Sequence, residues 1–289
     1  MELRATETEF CWTVRRRRYW RTCRRKYFLH YYASQGGFDP YAPRSARELY
    51  AVKKGISLDS YVRRLVNLAI RECFYAPVDE EMPETPPELF PVAAHRAGWE
   101  FQQMLEGKTP LVLWELLQGD SSPAAIHREM MEKLDAFCNQ VTCNAWETLA
   151  AIPPCDRRPV ASPLALAIAE LKCYLVPVIA MRRAGEIWML EGAGEADAGN
   201  EIAVLGKFAA AQLWGTPPQQ VRSFILAGDD GVFTEVGADA DVSEVLRGIR
   251  RDVGEMCQMI GDDGSVREED FPADAKMCGS CVFRAFCRH

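Results

Sequence analysis

Apolar and polar residues alternate along much of the chain with the spacing of helices. Leu58, Tyr61 and Leu65 recur at intervals of three and four residues, which predicts an amphipathic helix between about residues 57 and 73. Residues 12–33 predict an earlier helix that is rich in aromatic and basic side chains. Helical spacing also dominates approximately residues 76–165, which we interpret as a helix-rich insertion.

After residue 165 the pattern changes to strands. The stretches "KCYLVPVIAMRR" and "GEIWMLEGAG" predict two strands joined by a tight turn. The next stretch, "NEIAVLGKFAAAQLWG", predicts a helix that ends at a C-capping Gly215. A second hairpin in "VRSFILAGDDGVFTEV" and a final helix in residues 241–261 complete the order. This order predicts an α/β fold with a small mixed central sheet flanked by helices.

The composition is that of an ordinary globular protein, with 48% hydrophobic and 26% charged residues. No apolar run approaches the roughly 20 residues that cross a bilayer. The first ten residues lack the apolar stretch of a signal peptide. These features lead us to expect a cytoplasmic protein with no membrane partner.

Charge is distributed unevenly along the chain. The net charge is −7, but residues 1–32 contain nine Arg and Lys against three Glu, a net of +6, which leaves −13 for the remainder. A basic patch on an acidic body suits either a nucleic acid or an acidic protein partner. The candidate nucleic-acid-binding residues are Arg15, Arg16, Arg17, Arg18, Arg21, Arg24, Arg25 and Lys26. Aromatic residues lie between them and could stack on bases. Alternatively, the aromatics belong to the core and the arginines pair with acidic residues elsewhere.

Cysteines provide the most specific pattern in the sequence. Eleven cysteines without a secretory leader argue against a disulfide framework. Residues 277–287, "MCGSCVFRAFC", place Cys278, Cys281 and Cys287 in the pattern C-x2-C-x5-C. A metal or iron–sulfur site normally needs four ligands, and Cys23 is the best candidate for the fourth. Thiolates suit iron–sulfur clusters and zinc alike, and for zinc the fourth ligand could also be His289.

The two ends of the chain together resemble a known family. "TCRRKYFLHYY" followed far downstream by "CGSCVFRAFC" resembles the iron–sulfur branch of the RecB-like PD-(D/E)XK nuclease superfamily. The resemblance extends over residues 10–75 and 170–289. It implies a [4Fe–4S] cluster that is held by Cys23, Cys278, Cys281 and Cys287 and that staples the ends together. It also implies a single domain, residues 1–289, with a restriction-endonuclease-like core around the insertion.

At the first two catalytic positions of the family, this sequence has different residues. Its nucleases bind a divalent metal through carboxylates on a β-hairpin, with a Lys two residues after the second acid and a His on an early helix. The position of the His is taken by Asn67. The first acid, which follows a proline in the family, falls on Val178 after Pro177.

The second strand of the hairpin allows two alignments. In the first alignment, the acid position is Leu190 and the Lys position is Gly192. In the second, Glu191 is the acid but the Lys position is Ala193. The glutamine that begins the family's next helix corresponds best to Glu201. Neither alignment restores the acid, acid and Lys set that would hold a metal ion and activate water.

The sequence therefore favours a catalytically degenerate nuclease-like protein that needs neither Mg²⁺ nor Mn²⁺. We expect it to act as a DNA-binding or assembly subunit of a nucleic-acid-processing system. Its partner would be an active nuclease, a helicase or another complex subunit. The alternative is an active Mg²⁺- or Mn²⁺-dependent DNA nuclease with relocated catalytic residues, among them Glu191 and Lys207.

Overall fold

A computed structural model describes residues 2–4, 10–76, 88–119, 121–168, 170–192, 198–226 and 230–287. The fold is mixed α/β, with small sheets and helices. The α-helices are α1 (Val14–Thr22), α2 (Arg24–Phe28), α3 (Arg44–Lys54), α4 (Leu58–Tyr75), α5 (Leu89–Leu105), α6 (Trp114–Gln118), α7 (Pro123–Val141), α8 (Glu147–Ala150), α9 (Gly199–Trp214) and α10 (Val242–Gln258). None of the helices in these described residues is both long and apolar enough to cross a membrane.

The strands are short. They are β1 (Glu2–Arg4), β2 (Cys11–Trp12), β3 (Gly55–Ile56), β4 (Val112–Leu113), β5 (Leu164–Ile168), β6 (Leu171–Leu175), β7 (Pro177–Arg183), β8 (Glu186–Glu191), β9 (Val221–Leu226), β10 (Phe233–Val236) and β11 (Ser265–Arg267). Internal contacts divide the chain into two compact units. Unit 1 comprises residues 1–55, 110–112 and 243–289, and unit 2 comprises residues 56–109 and 113–242. The arrangement as one domain stays a prediction.

Unit 2 contains a four-stranded mixed sheet with the order β10-β9-β8-β7. The antiparallel β7–β8 hairpin turns at Ala184 and Gly185, which both have positive φ angles. Strands β8 and β9 are parallel, and β9 and β10 form the second antiparallel hairpin. Parallel neighbours need a crossover connection, which α9 supplies before it ends at Gly215 in the left-handed conformation. The second predicted hairpin and the predicted helix between the hairpins are confirmed. The first strand of the first hairpin is shorter than predicted, because "KCYLVPVIAMRR" divides into β6 and β7, which belong to different sheets.

Helix α4 is the central helix of unit 2. Its apolar face buries Tyr61, Leu65 and Ile70, as the sequence predicts, and it packs against α5, α7 and β7. The section predicted as a helix-rich insertion contains α5 to α8, and these helices belong to the same unit as the hairpins. An antiparallel pair, β5 and β6, begins at Leu164, where that section ends.

In unit 1 the predicted helix over residues 12–33 is broken. Thr13 caps α1, and the helix ends at Cys23, whose extended backbone (φ −164°, ψ 117°) separates it from α2. A π-helical turn, Leu29–Ala33, then continues α2. Periodicity could not locate the break, because the residues on both sides of Cys23 keep helical spacing.

An aromatic core holds unit 1 together. Its fully or almost fully buried members are Trp20, Tyr27, Phe28, Tyr32, Met256, Phe271 and Phe283. They come from α1, α2, α10 and the C-terminal segment, so the beginning and the end of the chain share one core.

A buried carboxylate joins α1 to α10. Asp252 is 2% exposed, and its carboxylate accepts a hydrogen bond from Nη2 of Arg21 at 3.0 Å. Nε of Arg17 lies 3.2 Å from the other carboxylate oxygen. A buried charge is tolerated only when it is paired, so both arginines compensate the desolvation of Asp252.

We predict that Asp252→Ala lowers the free energy of unfolding by about 3 kcal/mol, because it leaves two arginines without their buried counter-charge. Urea unfolding followed by tryptophan fluorescence measures this loss. The matched control is Glu269→Ala, which removes an exposed carboxylate from the same unit and should change stability by less than about 0.5 kcal/mol. Equal effects of the two variants would contradict the structural role of Asp252.

Candidate metal centre and catalytic positions

Cys23 and the three C-terminal cysteines line one pocket in unit 1. The pocket is bounded by Thr22, Cys23, Lys26, Leu29, Asp274, Met277, Cys278, Cys281, Arg284 and Cys287. All four are free thiols. The structure thus brings together the four residues that the sequence predicts as ligands, although 255 residues separate the first from the second.

The break between α1 and α2 positions Cys23. Its extended backbone turns the side chain out of the helix, and Sγ accepts hydrogen bonds from the backbone N–H groups of Lys26 at 3.4 Å and Asp274 at 3.5 Å. These donors come from opposite ends of the chain. These two donors fix the position of the Cys23 sulfur beside the C-terminal segment.

Short 3-10 turns hold the C-terminal trio. The turn Ala275–Ser280 begins at Asp274, whose side chain accepts from the N–H of Lys276, and a second turn spans Arg284–Phe286. Between them Phe283 is 1% exposed and packs edge-on against His30. This buried ring anchors the tail against the α2 region.

The other three cysteines of the pocket influence the pKa of Cys287. Burial raises the pKa of Cys287, Arg25 opposes this, and Cys23, Cys278 and Cys281 raise it further. Lys26 and Arg284 also line the pocket. A set of four thiolates carries a large negative charge, and these cations would offset it when the thiols ionise.

The donor set fits an iron–sulfur cluster or zinc by its chemistry. Among the described residues, however, no three His, Cys, Asp or Glu side chains already converge on a point that would hold a metal ion. Sγ of Cys278 instead donates a hydrogen bond to the carbonyl oxygen of Asp274 at 3.4 Å. Metal binding would replace this bond, because the ligand is a thiolate. His289, the other possible zinc ligand, lies outside the described residues.

In unit 2, three of the degenerate catalytic positions meet. A Cβ placed on Gly192 would lie 2.9 Å from Nδ2 of Asn67 and 3.4 Å from Cγ2 of Val178. Asn67 comes from α4, and Val178 occupies a β-bulge, since Pro177 pairs with Glu191 while Ile179 pairs with Leu190. An amide, an isopropyl group and a glycine therefore occupy the corner where the family has a His, an acid and a Lys.

Glu191 does not supply the missing charge at this corner. Glu191 is the last residue of β8 and is 5% exposed. Its Oε2 accepts from the N–H of Val176 at 3.2 Å, and Oε1 has no hydrogen-bond partner among the described residues. Burial raises the pKa of Glu191 to about 8, which keeps the group mostly protonated at neutral pH.

The remaining candidate positions add no metal site. Lys207 is half-buried on α9, and no ion pair joins it to Glu191 within the described chain. Glu201 lies buried in the first turn of α9. Ala193, the Lys position of the second alignment, lies outside the described residues.

Most of the candidate nucleic-acid-binding cations have partners inside unit 1. Arg24 donates to Glu255 at 3.1 Å and lies over the Trp20 ring, while Arg25 pairs with Glu268. Nε of Arg16 donates to the Tyr27 hydroxyl at 2.9 Å. Arg17 and Arg21 pair with Asp252, so internal contacts engage much of this basic segment.

The other three cations differ among themselves. Lys26 lies over the Tyr19 ring, while Arg15 and Arg18 are exposed. The aromatic residues of this region are largely core: Trp12, Trp20, Tyr27 and Phe28 are at most 2% exposed. The structure therefore agrees better with the alternative in which aromatics pack inside and arginines pair with acids.

Comparison with known proteins adds no relative. No family model, no curated protein and no solved structure matches the chain. The functional interpretation consequently depends on the residues themselves.

We predict that Glu191→Gln removes a pH-dependent loss of stability. The unfolded chain ionises this carboxyl near pH 4.5, whereas the folded protein keeps it protonated to about pH 8. Between these values the folded state binds more protons, so wild-type stability falls as pH rises. The variant should gain on the wild type by at most about 1.4 kcal/mol per pH unit across this window.

Urea unfolding at pH 5, 6.5 and 8 measures the difference. Glu269→Gln serves as the control, because it removes an exposed carboxyl and should follow the wild type at each pH. A constant difference between Glu191→Gln and the wild type would contradict the buried, protonated state of Glu191.

Proposed function

We propose that this protein is a catalytically inactive, nuclease-like protein with a structural [4Fe–4S] cluster, and that it serves as a non-catalytic subunit of a nucleic-acid-processing system. One observation carries the proposal. The four predicted ligand cysteines share a pocket, while the positions predicted for catalysis meet without a carboxylate. The predicted cluster site contains its four cysteines, whereas the three predicted catalytic positions that meet contain no carboxylate.

The inactive assignment rests on the ligands that a divalent metal needs. Mg²⁺ binds through carboxylates and water, and in phosphodiester cleavage it activates water and stabilises the developing charge. Asn67, Val178 and Gly192 offer one amide between them. Glu191 is buried and its pKa is raised to about 8, so a cation that bound there would first have to displace its proton.

The structural assignment rests on the position of the thiols. Cys23, Cys278, Cys281 and Cys287 would hold the cluster, which supplies a rigid covalent link between the ends of the chain when it is bound. Ligation of this kind contributes directly to folding free energy, because the site does not exist in the unfolded chain. Lys26 and Arg284 would balance the negative charge of the ligated thiolates. Zinc is the alternative occupant, because the same four thiolates suit it.

We predict that anaerobically purified protein is brown, with broad absorption near ~400 nm. Cys23→Ser and Cys281→Ser should each lose most of the iron and melt several degrees lower than the wild type. The matched control is Cys155→Ser, an exposed cysteine of unit 2, which should keep both iron and melting temperature. A colourless protein with one zinc per chain would select zinc, and wild-type metal content in Cys23→Ser would refute the four-cysteine site.

We predict no cleavage of single- or double-stranded DNA by the cluster-loaded protein in millimolar Mg²⁺ or Mn²⁺. The reason is the lack of an ionised carboxylate at the corner formed by Asn67, Val178 and Gly192. Glu191→Ala tests the competing assignment, because an enzyme with relocated residues would lose its activity in that variant. Metal-dependent cleavage that disappears in Glu191→Ala would establish an active nuclease instead.

A further inference from the structure

The cations of unit 1 fall into two groups once their partners are known. Half of those on α1 and α2, namely Arg17, Arg21, Arg24 and Arg25, pair with Asp252, Glu255 or Glu268. Helix α3 is different. Within the described chain, Arg47, Lys53 and Lys54 form no ion pair, and the one ion pair of this helix joins Arg44 to Glu48. Helix α3 therefore offers cations that are available to an external anion.

The geometry of α3 places these cations next to aromatic rings. Arg47, Tyr50 and Lys54 follow the i, i+3, i+7 spacing of one helix face. Nζ of Lys54 lies 5.4 Å from the centre of the Tyr50 ring, and Nζ of Lys53 lies 5.9 Å from that of Tyr31. Lysines held over rings keep their charge while their stems are ordered, which lowers the cost of binding a ligand.

Exposed aromatic residues border the same helix face. The Phe38 ring packs edge-on against Tyr50 at 6.2 Å, yet its side chain is 74% exposed. Tyr41, three residues further on, is 94% exposed. The turn that presents them is fixed, because Gly37 lies so close to α3 that a Cβ would approach the carbonyl oxygen of Ala46 to 2.2 Å. Large aromatic side chains with this much exposure offer open faces for stacking.

The electrostatic surroundings confirm that the cations crowd together. Burial lowers the pKa of His30 to about 3, and Lys53, Arg15, Lys26 and Lys54 lower it further. Burial also lowers the pKa of Lys53, as do Lys54 and Arg16. No carboxylate contributes to either shift among the described residues. Mutual repulsion of this kind is relieved by an anionic ligand.

We propose that Phe38, Tyr41, Arg47, Lys53 and Lys54, together called the α3 patch, bind single-stranded DNA. The lysines and Arg47 contact successive phosphates, and Phe38 and Tyr41 stack on unpaired bases. A basic surface combined with exposed rings is the usual architecture of single-strand binding, since every base has a face to stack. A duplex hides those faces, so the patch favours single strands. The proposal deepens the proposed nucleic-acid role but uses neither the cysteines nor the degenerate catalytic corner.

The test uses the purified full-length protein and a fluorescein-labelled dT30 oligonucleotide, with fluorescence anisotropy measured at several salt concentrations. We expect Arg47→Gln/Lys53→Gln/Lys54→Gln to weaken binding at least tenfold. Its salt dependence should fall by roughly 2 in the slope of log K against log salt, as expected for about three lost phosphate contacts. Phe38→Ala/Tyr41→Ala should weaken binding about fivefold or more without changing that slope.

The matched control is Arg182→Gln/Arg247→Gln/Arg250→Gln, which removes the same charge from exposed positions elsewhere. It should bind within about twofold of the wild type. Thermal melting of all variants verifies that they fold. Single-stranded RNA of the same length, a 30-base-pair duplex and poly-glutamate serve as competitors. The proposal is supported if the duplex and poly-glutamate compete more weakly than single strands do. Competition by RNA as strong as that by DNA would extend the proposal to single-stranded RNA.

The proposal is overturned if the wild type does not bind dT30 at 50 mM salt, or if the control variant loses as much affinity as the α3 variant. Equal competition by poly-glutamate would overturn it too, and would identify an acidic protein as the partner. Gel analysis of the oligonucleotide after titration in the presence of Mg²⁺ tests the inactive assignment separately from the α3 patch. Cleaved oligonucleotide refutes the inactive assignment whatever the affinity, whereas intact oligonucleotide without binding refutes only the α3 patch.

Discussion

Asp252 lies on α10 with its carboxylate removed from water, and Arg21, 231 residues earlier in the chain, donates a hydrogen bond to it. A buried carboxylate is strongly unfavourable unless cations compensate it, so α1 and α10 are held in one arrangement. Aromatic packing between Trp20 and Phe271 continues the same connection towards the tail. Because Cys23 directly follows the end of α1, this arrangement also positions the first thiol beside the C-terminal three.

The two candidate sites differ in what their side chains can do. In unit 1, four thiols and two cations surround one pocket, which is the chemistry of a soft metal or cluster. In unit 2, Val178 at the bulge, Gly192 after the end of β8 and Asn67 of α4 lie close together, and all three are neutral. The nearby acid, Glu191, is buried, and burial raises its pKa to about 8. This difference between the two candidate sites is the physical basis for proposing a structural role rather than a catalytic one.

The basic character of the first 32 residues has an internal explanation. Its arginines are the counter-charges of acids on α10 and near residue 268, so a sequence that looks ready to bind an external anion binds its own chain. Among the described residues, Arg47, Lys53 and Lys54 of α3 have no such partners, although the sequence of this helix is less conspicuous because Glu48 pairs with Arg44. Cations that cluster in a sequence are not always available on the surface, because they can pair with acids of the same chain.

Local patterns determined a large part of this protein. Helical spacing predicted α4, α9 and α10, and strand patterns predicted β8, β9 and β10. These predictions succeed because periodicity is a property of neighbouring residues. The C-x2-C-x5-C spacing together with Cys23 predicted four cysteines that line one pocket, and their role as ligands stays a prediction. Tertiary structure decided the rest: the break at Cys23, the partners of the arginines and the burial of Glu191. Each of these features depends on contacts between residues that are far apart in the chain. A local sequence pattern therefore cannot predict the free energy of burying the charged or aromatic side chains involved.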